Sequence, residues 1–305
     1  MTSLPFFSIV IPTYARHAQL KDCLRSLQRL DYPRDRFEVI VVNDGDPTLT
    51  DAAIAPYQSS LNLQLLFQLN AGPAAARNTG ARQAKGDFLA FTDDDCQPAV
   101  SWLQHLAASC THYPTGLIGG DVVNALPNNL FSAASQLHGQ AVYDYFNTTE
   151  AQASFFASCN FALSRQSFQQ LGGFDTRFPI AAAEDREFCD RCLRRGHLLR
   201  YVPEAVVHHA HDLSFWRLLK QHFNYGRGAQ LFHLIREQNA EVEAIKTDWA
   251  FYWHLFTYPF QVAAMPKACL LSGLFFGCNV AKTVGFFWQQ RQSADIASHP
   301  LPPLA

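Results

Sequence analysis

The sequence is short of charge. Only 16% of its 305 residues are Asp, Glu, Lys or Arg, and 24 basic against 26 acidic residues leave a formal net charge of −2. A chain so balanced lacks the basic field on which nucleic-acid binding rests, and no nucleic-acid partner is expected. Low-complexity tracts and internal repeats are missing, while 48% hydrophobic residues supply material for a folded core. Eight cysteines are too few for a disulfide scaffold at this length, and most have apolar neighbours. The opening MTSLPFFSIVIPTYAR has neither a basic stretch nor a small-residue cleavage site. A reducing, cytoplasmic setting is the expectation.

What the sequence does have is alternation. Residues 7–11 and 37–42 are continuous apolar runs closed by Pro12 and by Asn43-Asp44-Gly45-Asp46-Pro47, and they read as buried strands. Between them Leu20, Cys23, Leu24, Leu27 and Leu30 recur at helical spacing. A third strand is expected at 61–66, a helix from Gly72-Pro73 to Lys85, and a fourth strand at 88–92. Strands alternating with helices imply βαβ units and a mostly parallel sheet, which binds ligands at the carboxyl ends of its strands. Asp44 and Asp93-Asp94-Asp95 both fall there. Further on, a strand is expected from Phe155 to Leu163, helices at 165–171, 184–195 and 214–232, a strand at 198–207, and an irregular segment from Val122 to Ala157.

Several groups could carry chemistry. Three successive aspartates repel one another unless a cation sits among them, and hard carboxylate oxygens suit Mg²⁺ or Mn²⁺. An isolated acidic triplet also makes a solvated turn; its place after a buried strand favours a site. Asp44 reads as a turn residue or as a carboxylate accepting from a base or ribose. Arg77 and Asn78 read as surface residues or as a cationic rim for a diphosphate, and spacing alone leaves both open. Glu184-Asp185 either caps a helix or supplies a general base. His208, His209 and His211 follow an apolar strand and offer imidazole ligands. Cys189-x-x-Cys192 with His209 and His211 would make a zinc site, but this spacing is also where core cysteines fall, and no second CxxC exists.

In order along the chain, these pieces resemble a family-2 glycosyltransferase of GT-A fold over residues 6–230. Ser8 to Tyr14 is similar to the family's first strand and nucleotide-binding loop, here Pro12-Thr13-Tyr14. Val41-Val42-Asn43-Asp44-Gly45 resembles its nucleobase-contacting segment, and Gly72 to Gly80 followed by Gly86-Asp87-Phe88 its next helix and strand. Asp93-Asp94-Asp95 resembles the DxD element. Cys159 to Ala162 and Gly172-Gly173-Phe174-Asp175 resemble the acceptor side. The resemblance implies that Asp44, Arg77, Asp93 and Asp94 bind the nucleotide-sugar, that Asp95 and His209 hold Mn²⁺ or Mg²⁺, and that Asp185, beside Glu184, is the catalytic base of an inverting transfer. It implies a UDP-sugar first, with GDP or dTDP open, and a glycan or lipid-linked acceptor of the cell envelope.

Processive members carry QxxRW and several spanning helices; Gln221-His222-Phe223-Asn224-Tyr225 lacks both Arg and Trp, and a single-addition enzyme is expected. Two rivals remain, a GT-A-fold scaffold without turnover and a nucleotidyltransferase. Loss of Asp95 or Asp185 would favour the first, and a Gly-rich basic loop after the first strand the second; neither is observed. Domains are expected at 1–235, with a nucleotide-sugar half (1–120) and an acceptor half (121–235), and at 236–305, an apolar helical extension. Residues 268–281 are 14 without a charge before Lys282, short of the ~20 of a spanning helix. Trp249, Tyr252, Trp253 and Trp288 suit a bilayer interface. Residues 249–288 therefore read equally as a membrane-surface element, peripheral on the inner face of the cell membrane, or as a plain hydrophobic cap.

Overall fold

The computed structural model describes residues 4–147, 153–238 and 248–296. Residues 148–152 of the expected acceptor segment, and 239–247 and 297–305 of the expected extension, lie outside the described residues. The chain divides into two compact units, Met1–Pro179 with Glu184–Asp212, and Ile180–Ala183 with Leu213–Ala305.

The first unit runs β1 (Phe7–Thr13), α1 (His17–Leu27), β2 (Phe37–Asp44), α2 (Asp51–Gln58), β3 (Leu63–Gln68), α3 (Pro73–Gln83), β4 (Phe88–Phe91), β5 (Cys96–Pro98) and α4 (Trp102–His112). It continues through β6 (Leu117–Asn124), α5 (Leu130–Phe146), β7 (Phe161–Ser164), α6 (Arg165–Leu171), α7 (Glu184–Arg194) and β8 (Leu199–His209). The strands form one sheet in the order β3-β2-β1-β4-β7-β6-β8-β5. Pairing is parallel from β3 to β4 and again between β6 and β8, whereas β7 is antiparallel to both neighbours and β5 to β8.

Every residue of β1 and β2 is buried, as their unbroken apolar runs require of central strands covered on both faces. Successive side chains serve opposite cores. Ile9, Ile11, Val39 and Val41 join the apolar stripe of α1 and Trp102, Leu103 and Leu106 of α4. Val10, Ile40 and Val42 face Ala74 and Ala81 of α3 and a phenylalanine group, Phe91, Phe161, Phe168, Phe174 and Phe188.

Two expectations are corrected. The strand expected at 155–163 is only Phe161–Ser164. The amide of Asn160 donates to Ala157 O (3.1 Å), a turn that breaks the extended run, and Phe156 is buried in the second core. The segment 122–157 is not irregular throughout, since the 17-residue helix α5 fills nearly half of it. The Asn129 side chain caps that helix by accepting from the amides of Phe131 and Ser132.

The second unit holds α8 (Phe215–Glu237), α9 (Trp249–Val262) and α10 (Met265–Ile296). The expected boundary at 235 falls inside α8, which belongs with the C-terminal helices. The reason is close packing. A Cβ on Gly226 would collide with Lys282 O, and one on Gly285 with Phe223 O, so two glycines let α8 and α10 approach backbone to backbone. Nor does Lys282 interrupt the tail: α10 runs through it. Met265–Gln292, 28 residues that include an 18-residue stretch of mean hydropathy 1.4, is by length and composition able to cross a membrane.

Candidate active site

The acidic loop lies between β4 and β5, and its three carboxylates go different ways. Asp94 is buried; it accepts from Thr13 Oγ1 (2.7 Å) and from Arg16 Nη1 (3.2 Å). Asp95, also buried, accepts from the same Arg16 nitrogen (2.8 Å) and lies 3.2 Å from His209 Nε2. Half-buried Asp93 accepts from Arg77 Nη2 (2.7 Å). Strand register explains the His209 contact: β5 pairs antiparallel with β8, placing Cys96 opposite His209. His208 is one residue away on the other face and exposed.

These contacts split the protonation states. Burial, then Asp95 beside it, pushes Asp94 up to about 7. Burial acts on Asp95 the same way, but His209 and Arg16 outweigh it and hold that carboxyl well below the usual range. Against burial, Asp95 raises His209 to about 9, whereas burial and then His209 lower His211 to about 4. The rings of His209 and His211 are 5.0 Å apart, one favouring charge and one neutrality.

Asp95, Cys96 and His209 place their ligand atoms within 4.8 Å of one another. Burial drives the Cys96 thiol well above its ordinary pKa, so it stays protonated and is a poor ligand for a hard ion. A carboxylate and an imidazole remain, a partial set that suits Mn²⁺ or Mg²⁺ and leaves positions for phosphate oxygens. The CxxC zinc set does not form. Cys189 Sγ donates to Phe156 O (3.6 Å), and both cysteines pack in the second core beside Phe188.

Arg77 departs from its expected place on an exposed rim. It is 2% exposed, with Nη2 on Asp93 and Nη1 on Glu184 (3.0 Å), and it lies over the Phe174 ring. Through its two terminal nitrogens it links the acidic loop to the start of α7. Asn78 is no surface residue either, because its amide exchanges hydrogen bonds with the backbone of Phe174, 2.8 Å each way.

Glu184 is buried and Asp185 half-buried at the first turn of α7. The helix dipole favours carboxylates there. Burial, then Glu184, nevertheless pushes Asp185 up to about 7, and burial raises Glu184 as well. The preceding Ala183 adopts φ +68°, a left-handed conformation uncommon for a residue with a Cβ.

Asp44 faces three donors of its own chain: Gln68 Nε2 (2.7 Å) and the amides of Ala71 and Gly72 (2.9 Å each). Gly72, at φ +87°, makes that turn possible, and a Cβ there would meet Pro179 O. Pro12 and Thr13 are buried at the end of β1, and Tyr14 is exposed. Two residues escaped the sequence reading. Arg16 gave no signal beyond being a cation after Pro-Thr-Tyr. Asn160, noted only within an acceptor-side segment, donates to Asp121 O (2.6 Å) and Ala205 O (2.7 Å) and accepts from Trp102 Nε1 (2.8 Å), fastening β6, β8 and α4 together.

A mixed α/β sheet of this order, with carboxylates and an imidazole gathered beside its strand ends, has the GT-A fold. Residues 8–172 match the model of Glycosyl transferase family 2, and residues 98–290 that of Glycosyl transferase family group 2. The chain belongs to glycosyl transferase family 2, which sets the nucleotidyltransferase reading aside. It is 28% identical over 236 residues to Glycosyltransferase AglE of Haloferax volcanii, covering 75% of this chain and 74% of the relative. Among solved structures it is similar to the mannosyltransferase PcManGT from Pyrobaculum calidifontis in complex with GDP-Man and Mn²⁺, with TM-score 0.66, 20% identity, and coverage of 95% and 89% of the two chains. It also resembles S. aureus TarS 1–349 in complex with UDP-GlcNAc, with TM-score 0.52, 16% identity, and coverage of 95% and 92%.

Proposed function

We propose that this glycosyltransferase moves one sugar from a nucleoside-diphosphate sugar, with UDP the first candidate and GDP the second, to an acceptor hydroxyl with inversion at the anomeric carbon. The observation that carries the reading is the pairing of Asp95 with His209 at 3.2 Å, tied through Asp93 and Arg77 to the turn of helix that bears Asp185. Asp95 and His209 would hold Mn²⁺ or Mg²⁺, which when bound supplies positive charge for the leaving diphosphate. Asp93 and Asp94 would orient ribose and sugar, with Thr13 fixing the Asp94 rotamer. Asp44 and the Pro12-Thr13-Tyr14 loop would border the nucleoside. Asp185 takes the proton of the attacking hydroxyl, and a carboxyl raised to about 7 is well matched to that task. A single displacement inverts the centre.

The acceptor is proposed to be a glycan or lipid-linked glycan met at the membrane surface, from the cytoplasmic side. Support comes from α9 and α10, which expose Trp249 (77%), Trp253 (68%), Phe256 and Phe276. Aromatic side chains in this number suit the headgroup boundary. Calorimetric titration with UDP, GDP and dTDP, each with Mn²⁺ and then with EDTA, tests the donor half. Metal-dependent binding of one nucleotide is expected; folded protein that binds none of them would overturn it.

A further inference from the structure

Among the described residues, Arg16 is the one cation that contacts two carboxylates of the acidic loop. A single nitrogen, Nη1, is shared between Asp94 Oδ1 and Asp95 Oδ2, and among the described residues it is the only part of the guanidinium so engaged. The Arg16 side chain is 47% exposed, while those of Asp94 and Asp95 are 4% and 7% exposed. The guanidinium therefore covers carboxylates that are otherwise enclosed. The loop that presents it is strained: Ala15 sits at φ +54°, and Arg16 is the residue from which α1 starts.

Asp95 has Arg16 on one oxygen and His209 on the other. Were Asp95 and His209 to hold a divalent ion, that carboxylate would be drawn to it and the guanidinium beside it repelled. Once released, Arg16 remains tethered at the start of α1, next to the ion, where a diphosphate brings new negative charge. Its planar fork, with two nitrogens uncommitted, matches phosphate oxygens.

We propose that Arg16 is a built-in counter-cation which holds Asp94 and Asp95 in the metal-free enzyme, yields them to the divalent ion, and then pairs with the diphosphate of the donor. This rests on the metal-dependent transfer proposed above. Two affinities test it in the intact protein, Mn²⁺ alone followed by electron paramagnetic resonance, and UDP and GDP titrated onto Mn²⁺-saturated protein. Arg16→Gln should bind Mn²⁺ about threefold or more tighter, because the competitor is gone. The same variant should bind the nucleotide about tenfold more weakly, because a charge-assisted contact is lost. Arg16→Lys, which keeps the charge but not the fork, should stay near wild type for Mn²⁺ and be weakened for the nucleotide. A thermal melt verifies that each variant is folded.

Opposite signs in the two titrations are the signature, since a merely structural arginine would weaken both. Unchanged or weaker Mn²⁺ binding by Arg16→Gln, with wild type binding normally, overturns this inference alone. A wild type that binds no Mn²⁺ overturns the metal-dependent reading along with it.

Discussion

Asp95 stands 3.2 Å from His209 although one ends the acidic loop and the other ends β8, and the antiparallel register that sets Cys96 opposite His209 is what joins them. Because side chains alternate along a strand, a shift of one residue would present His208 instead. The polar pairing is thus a consequence of a backbone alignment whose own stability comes from Val207, Ala205 and Cys96 in the first core.

Substitution should follow that geometry. His209→Ala is expected to cost Mn²⁺-dependent nucleotide binding at least the ~10–100-fold that follows loss of a mere supporting group around a metal, and Asp95→Asn as much. His208→Ala, on the exposed face, should stay within twofold of wild type, roughly the noise of such titrations. Calorimetry on the three variants decides it; an equal loss in His208→Ala would contradict the assignment of His209.

Asp185→Asn separates chemistry from binding. The amide keeps the shape but cannot accept the acceptor's proton, so turnover should fall by about 10²–10⁴-fold. Nucleotide affinity in the presence of Mn²⁺ should remain near wild type, because the residue is assigned to the acceptor's hydroxyl. Steady-state kinetics beside calorimetry reads both quantities. Equal losses of binding in Asp185→Asn and Asp95→Ala would sink the role of Asp185 as base.

The same carboxyl sets a pH dependence. As a base it must be ionised, so kcat/KM should climb with pH through about 7 and level off above. Stability should run the other way. The carboxyl titrates near 3.8 when unperturbed and at about 7 in the fold, so the folded state holds the proton more tightly and loses stability as pH climbs between those values. Asp185→Asn is free of that cost, and its Tm advantage over wild type should grow from pH 4 to pH 7. A constant Tm difference over that range would contradict the raised carboxyl.

The parallel half of the fold was legible because its central strands are buried on both faces and announce themselves as apolar runs, as in Val39 to Val42. Beyond β4 legibility was uneven, because the helices at 165–171 and 184–195 and the strand at 198–207 were read whereas β6 was not. β6 contains Gly119 and Gly120, whose missing side chains make room for the Phe156 ring and for Ala205 O, so its sequence carries a packing requirement and no hydrophobic run. Candidate residues were legible where they stand in a row, as Asp93 to Asp95 do. Partners set by tertiary contact were invisible, and so spacing left the place of Arg77 open and Arg16 was passed over.

Arg77 predicts a stability effect. Removing it as Arg77→Ala leaves buried Glu184 without its counter-charge, which costs on the order of 3–5 kcal/mol. Arg77→Met paired with Glu184→Gln should recover much of that, since the uncompensated charge is gone, yet activity should stay low because Asp93 has lost its anchor. Urea melts and kinetics on the single and double variants test this. A double variant no more stable than Arg77→Ala would argue against the buried pair as the source of the loss.

The C-terminal helices predict a partition. Trp249, Trp253 and Phe256 are exposed on α9, and each is an apolar surface that water solvates poorly. With liposomes containing anionic lipid, the full chain should float with the vesicles. The triple variant Trp249→Ser, Trp253→Ser, Phe256→Ser should shift toward the soluble fraction while its metal-dependent nucleotide affinity is unchanged, because the acidic loop, His209 and α7 all belong to the other compact unit. Wild-type protein that stays in solution without detergent and ignores vesicles would remove the membrane reading, leaving these aromatics as the surface of a hydrophobic helical cap.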